Sequence, residues 1–267
     1  MISDNGGNIN RGGKPQSVFV GDVFLNKLGS KAKVVSYSSN KDVEIIFLDK
    51  FKHRIITYAK SLKLGSFKNP YHPTVNGVGY IGVGRFTVFD EEGKMTPEYR
   101  AWKGMLSRCY TEKVQQKQPC YKGCYVCDEW LCYNTFADWY TSQKYYGLNY
   151  QLDKDILVEG NKEYSPDYTR LVPKELNVLL TSRESKRGEF PVGVVKPKKS
   201  KSYLAQLNAN AKKVGLGSFK TVSEASAAYV NAKERHVKNK ALEYANKVDW
   251  EIFVSLMNWE VYPKEVV

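Results

Sequence analysis

The chain has 267 residues and a formal net charge of +13, and its 42% apolar and 13% aromatic content suffices for cores in one large domain or two to three small ones. Its basic excess is uneven: residues 1–94 carry net +6, residues 95–183 net +1 and residues 184–267 net +6, a pattern that favours a polyanion such as nucleic acid as partner. The longest apolar runs, such as Ile45-Ile46-Phe47-Leu48, are too short to span a membrane, and the first residues lack a secretory pattern, so a cytoplasmic protein with reduced thiols is expected.

Residues 1–16 are rich in Gly and Asn, carry Arg11 and Lys14, and read as a flexible basic arm. Residues 17–94 read as a small β domain followed by a Gly-rich linker. Val18-Phe19-Val20, Ala32 to Tyr37, Val43 to Leu48 and Arg54 to Tyr58 alternate like short strands, and that spacing suggests a small antiparallel barrel or curled sheet. Its cations, among them Lys31, Lys33, Lys50, Lys52 and Arg54, suit backbone phosphates and a solvated face equally well. Asn69-Pro70-Tyr71-His72-Pro73 with Gly77, Gly79, Gly82 and Gly84 is loop-rich, and no helix start follows at the spacing a phosphate cradle needs.

Thr96-Pro97-Glu98 opens a helix, with Thr as N-cap and Pro at the first position, and Trp102, Met105 and Cys109 share one face. A second helix is expected from about Asp128 to Tyr146, with Trp130, Tyr133, Ala137 and Tyr140 as its buried stripe. The five cysteines Cys109, Cys120, Cys124, Cys127 and Cys132 include one Cys-x-x-Cys pair. A structural zinc needs four ligands, the other spacings are irregular and no His is near, so buried thiols are expected and Zn²⁺ is not.

Tyr150 to Leu157 reads as a strand, Glu159-Gly160-Asn161-Lys162 turns it, Thr169-Arg170-Leu171-Val172 reads as a second strand, and Pro173 suits the start of a helix. Asp153 and Asp155 end the first strand, and Asn177 lies about one turn into the helix. A strand-end Asp and a helix Asn in such a unit can converge on one divalent ion, and oxygen donors suit Mg²⁺. The run Leu152, Asp153, Lys154, Ile156, Gly160, Asn161, Tyr164, Ser165, Pro166, Asp167, Arg170, Val172 and Asn177 resembles the metal finger of phage-encoded HNH-type endonucleases. Tyr99, Trp102, Met105 to Tyr110, Val126 to Trp130, Phe136 and Trp139 resemble the segment preceding that finger. The resemblance implies one ββα-metal module over 95–187, acting in a phage-infected bacterial cell, with Asp153, Lys154 and Asn177 in catalytic positions. Asp153 and Asn177 would bind Mg²⁺, with Asp155 as an extra ligand. Members of that group place a His, the general base, directly after the first Asp. Here Lys154 stands there, with steadying the scissile phosphate as its implied role, and Tyr168 takes the place of the middle Asn. A lysine near its reference pKa of ~10.4 is a poor base at neutral pH.

Residues 188–267 change character. Phe190 to Val195, Ser202 to Asn208 and Lys212 to Phe219 read as three strands, and Thr221-x-x-Glu224 is a capping box opening a helix with Val222, Ala225, Tyr229 and Ala232 on one face. Gly193-Val194, Tyr203, Ala205-Gln206, Lys212, Leu216-Gly217, Phe219, Glu224-Ala225, Ala227-Ala228-Tyr229 and Ala232 resemble the small DNA-binding domain of plant ethylene-response factors, which also follows HNH fingers in phage endonucleases. That resemblance implies a sheet entering the major groove of double-stranded DNA. Lys198, Lys199, Lys201, Lys212 and Lys213 are the expected phosphate contacts, Gln206 or Asn208 the base contact, and Tyr203 a further interface residue. The plant domains use more Arg and Trp on this sheet. The lysine bias here favours point-charge phosphate contacts over guanine readout. Asp249 to Trp259 reads as a last helix with Trp250, Phe253, Leu256 and Met257 inward.

The expected fold is therefore α+β: a β-barrel-like N-terminal domain, a central helical module with a ββα finger, and a three-stranded sheet plus helix. The expected function is DNA binding with Mg²⁺-dependent cleavage or nicking. The alternative is a catalytically inactive relative acting as a repressor, competitor or inhibitor.

Overall fold

Residues 17–180, 189–198, 200–209 and 212–261 are described by the computed structural model, and they form a mixed α+β chain whose sheets are antiparallel apart from one two-residue parallel pair. The expected basic arm over 1–16 lies outside the described residues, as does Lys199. The chain divides into two units, Met1–Lys117 with Asp128–Asp138, and Gln118–Cys127 with Trp139–Val267.

The first unit opens with β1 (Val23–Leu25), β2 (Lys31–Ser39), β3 (Asp42–Phe47) and β4 (Arg54–Thr57), a sheet of order β1-β2-β3-β4. Period-two alternation buries Ala32, Val34, Val43, Ile45 and Phe47 against Leu62 of α1 (Ala59–Lys63) and against Phe67. Among the described residues β1 does not pair with β4, so the expected barrel is an open meander. Val18 to Val20 are not a strand, because the Phe19 N–H donates to the Asp22 carboxylate at 2.9 Å and the chain turns before β1.

The glycines after this sheet serve close packing. A Cβ on Gly79 would collide with Leu106 and Trp102, and one on Gly84 would collide with Asn134. Thr96 caps α2 (Pro97–Tyr110) by accepting from the Tyr99 N–H at 3.3 Å, and α2 leads to α3 (Glu112–Lys117). The expected second helix is shorter, α4 (Tyr133–Ser142), preceded by a 3₁₀ turn over Asp128–Leu131. Its start is delayed because Tyr80 takes the Leu131 carbonyl and gives its own carbonyl to the Tyr133 N–H. Trp130, Tyr133 and Ala137 are buried as expected, and the Trp102 indole donates to the Trp130 carbonyl at 2.7 Å.

In the second unit β5 (Tyr125–Val126) pairs with β7 (Glu163–Tyr164), and β6 (Gln151–Asp153) pairs antiparallel with β8 (Arg170–Val172), followed by α5 (Lys174–Leu180). The strand–strand–helix order read from the sequence is present. Next come β9 (Val194–Val195), β10 (Tyr203–Ala209) and β11 (Lys212–Phe219), in sheet order β11-β10-β9. The capping box of Thr221 and Glu224 closes on the first turn of α6 (Val222–Tyr244), and α7 (Trp250–Met257) follows.

Helix α6 serves two partners. Ala225 near its start packs with Val194 and Ala205 of the sheet. Val237 and Ala241 near its end share a core with Ile156, Val172 and Leu176 of the finger and with Ile252 and Leu256 of α7. At 1.5 Å per residue, the step from Ala225 to Ala241 is roughly 24 Å. The finger and the sheet are thus mounted on one helix. Among the described residues no helix is long and apolar enough to cross a membrane.

Polar ties reinforce the finger's seat. Lys233 donates to the Leu179 carbonyl at 2.6 Å, closing the C-terminal end of α5, and burial lowers the pKa of its ammonium. Arg170 pairs with Glu251. The Tyr244 hydroxyl donates to Glu175 at 2.6 Å, with the Lys240 ammonium 3.6 Å from the same oxygen. That hydrogen bond, helped by Lys240, holds the Glu175 carboxyl below its ordinary value and pushes Tyr244 up to about 12. Glu175's contribution is present above its unfolded pKa and is lost as pH falls through its lowered folded value. Tyr244's contribution is present below its unfolded pKa and is lost as pH rises through about 12. The Tyr244→Phe variant is therefore expected to lose stability between about pH 5 and pH 10 and to approach the parent at either extreme. Urea unfolding across that range measures it, and a loss independent of pH would refute the tie.

Candidate functional site

The finger strand ends early, and Asp153 is the cause. Its Oδ1 accepts from the backbone N–H of Asp155 at 2.7 Å and of Ile156 at 2.9 Å, which turns the chain where a strand to Leu157 was expected. Burial raises the Asp153 carboxyl above the usual carboxylate range, against the pull of those two N–H groups. Its Oδ2 has no protein hydrogen bond among the described residues.

Lys154 is 4% exposed. Its ammonium donates to Asp155 Oδ1 at 2.7 Å and Oδ2 at 2.8 Å and also to the Asn161 carbonyl, and it lies 6.0 Å from the Tyr164 ring centroid. Asn161 closes the loop from the other side: its amide donates to the Lys154 carbonyl at 2.8 Å and the Glu163 carbonyl at 2.7 Å, and it accepts from the Glu163 N–H. An ammonium held this way is committed to the loop. It does not reach out to a substrate phosphate, and it keeps the Asp155 carboxylate occupied.

Asn177 donates to Gln151 Oε1 at 2.9 Å. Gln151 and Asp153 are two apart on β6 and share a face, so Asn177 stands on the Asp153 side of the hairpin. Of the four finger residues singled out from the sequence, the fold brings Asp153 and Asn177 to one face and ties Lys154 and Asp155 to each other. Carboxylate and amide oxygens of this kind suit Mg²⁺, which keeps several waters and takes its remaining ligands from substrate phosphate. Among the described residues no three His, Cys, Asp or Glu side chains gather as a metal-holding group. Cys109, Cys124 and Cys132 are buried, and burial raises the Cys124 thiol.

The β9–β11 sheet has one covered and one open face. Val194, Ala205 and Leu207 are buried, and Ala205 packs with Ala225 on the helix side. Leu204, Gln206 and Asn208 alternate with them and point the other way. Register places Leu204 between Val195 and Ser218, Gln206 beside Gly215, and Asn208 beside Lys213. Lys198, Lys201, Lys212 and Lys213 are exposed, Lys198 and Lys201 in the turn before β10 and Lys212 and Lys213 at the hairpin end. Tyr203 belongs to the covered side: its ring meets Phe190 edge-on at 5.5 Å, with the Lys196 ammonium 4.8 Å from its centroid. It is separated from Gln206 and Asn208 by the sheet.

The sequence reading missed two kinds of residue. Asn161 was part of a motif with no assigned role, although an Asn after Gly in a turn is a standard loop-bonding residue. Val195 and Leu204, 37% exposed each, were not singled out, although strand alternation places Leu204 on the Gln206 face. Comparison with protein-family models, curated proteins and solved structures finds no match to this chain.

Proposed function

We propose that this protein binds double-stranded DNA through the open face of the β9–β11 sheet. The observation that carries the reading is the composition of that sheet: residues 190–219 hold six lysines and no arginine, aspartate or glutamate. One face is packed on α6, so the other is free to meet a ligand. An antiparallel ribbon has the dimensions of the major groove, and lysines supply point charges to phosphates. Fluorescence anisotropy of a labelled duplex in rising salt tests it. The logarithm of affinity is expected to fall linearly with the logarithm of salt, by about 0.9 per phosphate contact. Absence of salt-sensitive binding would sink the reading.

A second reading, metal-dependent cleavage, is favoured by the placement of Asn177 on the Asp153 face. Asp153 Oδ2 and the Asn177 amide oxygen would hold Mg²⁺ together with a DNA phosphate, and the ion would polarise that phosphate. Asp153 anchors the turn through Oδ1 while leaving Oδ2 available. Gln151 orients the Asn177 amide. Lys154, bound within its own loop, accepts no proton. Supercoiled plasmid incubated with the protein and Mg²⁺ or EDTA separates the readings. Nicking that requires Mg²⁺ and is lost in Asp153→Ala, with duplex affinity kept, supports cleavage. Tight binding without product supports a repressor, competitor or inhibitor.

A further inference from the structure

The open face of the sheet sorts its residues by chemistry. The described lysines of this face stand at its rim: Lys198 and Lys201 between β9 and β10, and Lys212 and Lys213 at the hairpin end, while Lys196 lies over the Tyr203 ring on the covered side. The middle is different. Val195 and Leu204 are cross-strand partners, exposed and apolar, beside Ser218. Next along β10 comes Gln206, whose neighbours are glycines: Gly215 by register, and Gly193, whose carbonyl accepts the Gln206 N–H at 2.8 Å. A Cβ added to Gly215 would meet nothing within 4 Å, so the backbone there is open to solvent, whereas one on Gly193 would run into the Tyr229 ring of α6. Asn208 follows, and neither side-chain amide has a hydrogen-bond partner among the described residues.

This inference rests on the proposed DNA grip and concerns what the grip reads. In the major groove, side-chain amides pair bidentately with adenine N6 and N7, and apolar side chains meet the thymine methyl. Guanine is read by Arg or Lys; this sheet has no Arg, and its described lysines stand at the ends of the strands rather than beside Gln206 at the centre. Rim lysines are placed for the two phosphate backbones, and the open Gly215 lets a groove approach the strand closely enough for Gln206 to reach a base edge. We infer that the centre of the β9–β11 face selects A·T base pairs, Gln206 and Asn208 reading adenine while Leu204 and Val195 contact thymine methyls.

The test starts with selection of duplexes from a random pool by the full-length protein. The selected core is expected to be dominated by A·T pairs. In that duplex, replacing thymine by uracil removes the methyl and is expected to weaken binding about fourfold per methyl contacted. The double variant Leu204→Ala with Val195→Ala should bind the thymine and uracil duplexes alike. Gln206→Ala should lose roughly 5- to 150-fold in preference for the selected core over a G·C core, with the salt slope unchanged. Selection of G·C-rich cores, equal salt-sensitive binding to all duplexes, or indifference of the unmodified protein to uracil would each overturn the inference while leaving the grip intact. Binding of no duplex would overturn the grip and the inference with it.

Discussion

Replacing Lys212 and Lys213 together by Ala is expected to weaken duplex binding by an amount that itself depends on salt. Affinity falls with salt roughly as its concentration raised to −0.9 per phosphate contact, so removing two contacts changes the exponent by about 1.8. Referred to about 1 M salt, where this contribution vanishes, the variant should bind ~200-fold more weakly at ~50 mM and ~20-fold more weakly at ~200 mM. The slope of the anisotropy titration should flatten by about 2. Both side chains are exposed at the hairpin end, and no hydrogen bond or ion pair holds either within the described structure, so the melting temperature should not move. The Lys→Arg pair should keep the parental slope, since a guanidinium carries the same charge to a phosphate. A loss equal at both salt concentrations would show that these ammonium groups touch something other than phosphate. A lowered melting temperature would assign them a structural role instead.

Local signals in the sequence translated directly into structure, and signals shared between distant segments did not. The caps Thr96-Pro97 and Thr221-x-x-Glu224 form as read, because each satisfies backbone N–H groups within three residues of itself. The alternation in β2, β3 and β10 was legible because one face of each is buried. The extent of α6 was not. A single apolar stripe ends near Ala232 because the helix turns one side to the sheet at Ala225 and another to the finger at Val237 and Ala241, and no one periodicity serves two partners. The end of the finger strand was missed for a related reason. Asp153 looked like a ligand at a strand terminus, while one of its oxygens is the device that terminates the strand. The tie between Asn177 and Gln151, 26 residues apart, is a product of the hairpin and helix closing together. The sequence also gave no sign that Lys154 is buried, since its third acceptor comes from Asn161, seven residues on.

That burial sets up the other large effect. The Asp155→Ala variant is expected to be far less stable than Lys154→Met, although each removes the same ion pair. Side-chain exposure is 4% for Lys154 and 49% for Asp155, so the two partners differ in what remains when the other is gone. Without Asp155, an ammonium shut away from water keeps only the Asn161 carbonyl, and stranding a buried charge costs about 3–5 kcal/mol. Without the ammonium, the half-exposed Asp155 carboxylate rehydrates and Met fills the aliphatic path of the stem. The remaining loss is the hydrogen bond to Asn161, about 1–2 kcal/mol. Thermal denaturation should show Asp155→Ala lower by roughly 10 °C and Lys154→Met by roughly 3–5 °C, taking ~2–4 °C per kcal/mol for a chain of this size. EDTA should leave the parental midpoint unchanged, because the charge that closes this loop is covalently part of the chain. Equal losses would mean that the ammonium can reach water. An Asp155→Ala protein that melts like the parent but loses a Mg²⁺-dependent stabilisation would make Asp155 a metal ligand, and the lysine clamp would then be the wrong account of the finger.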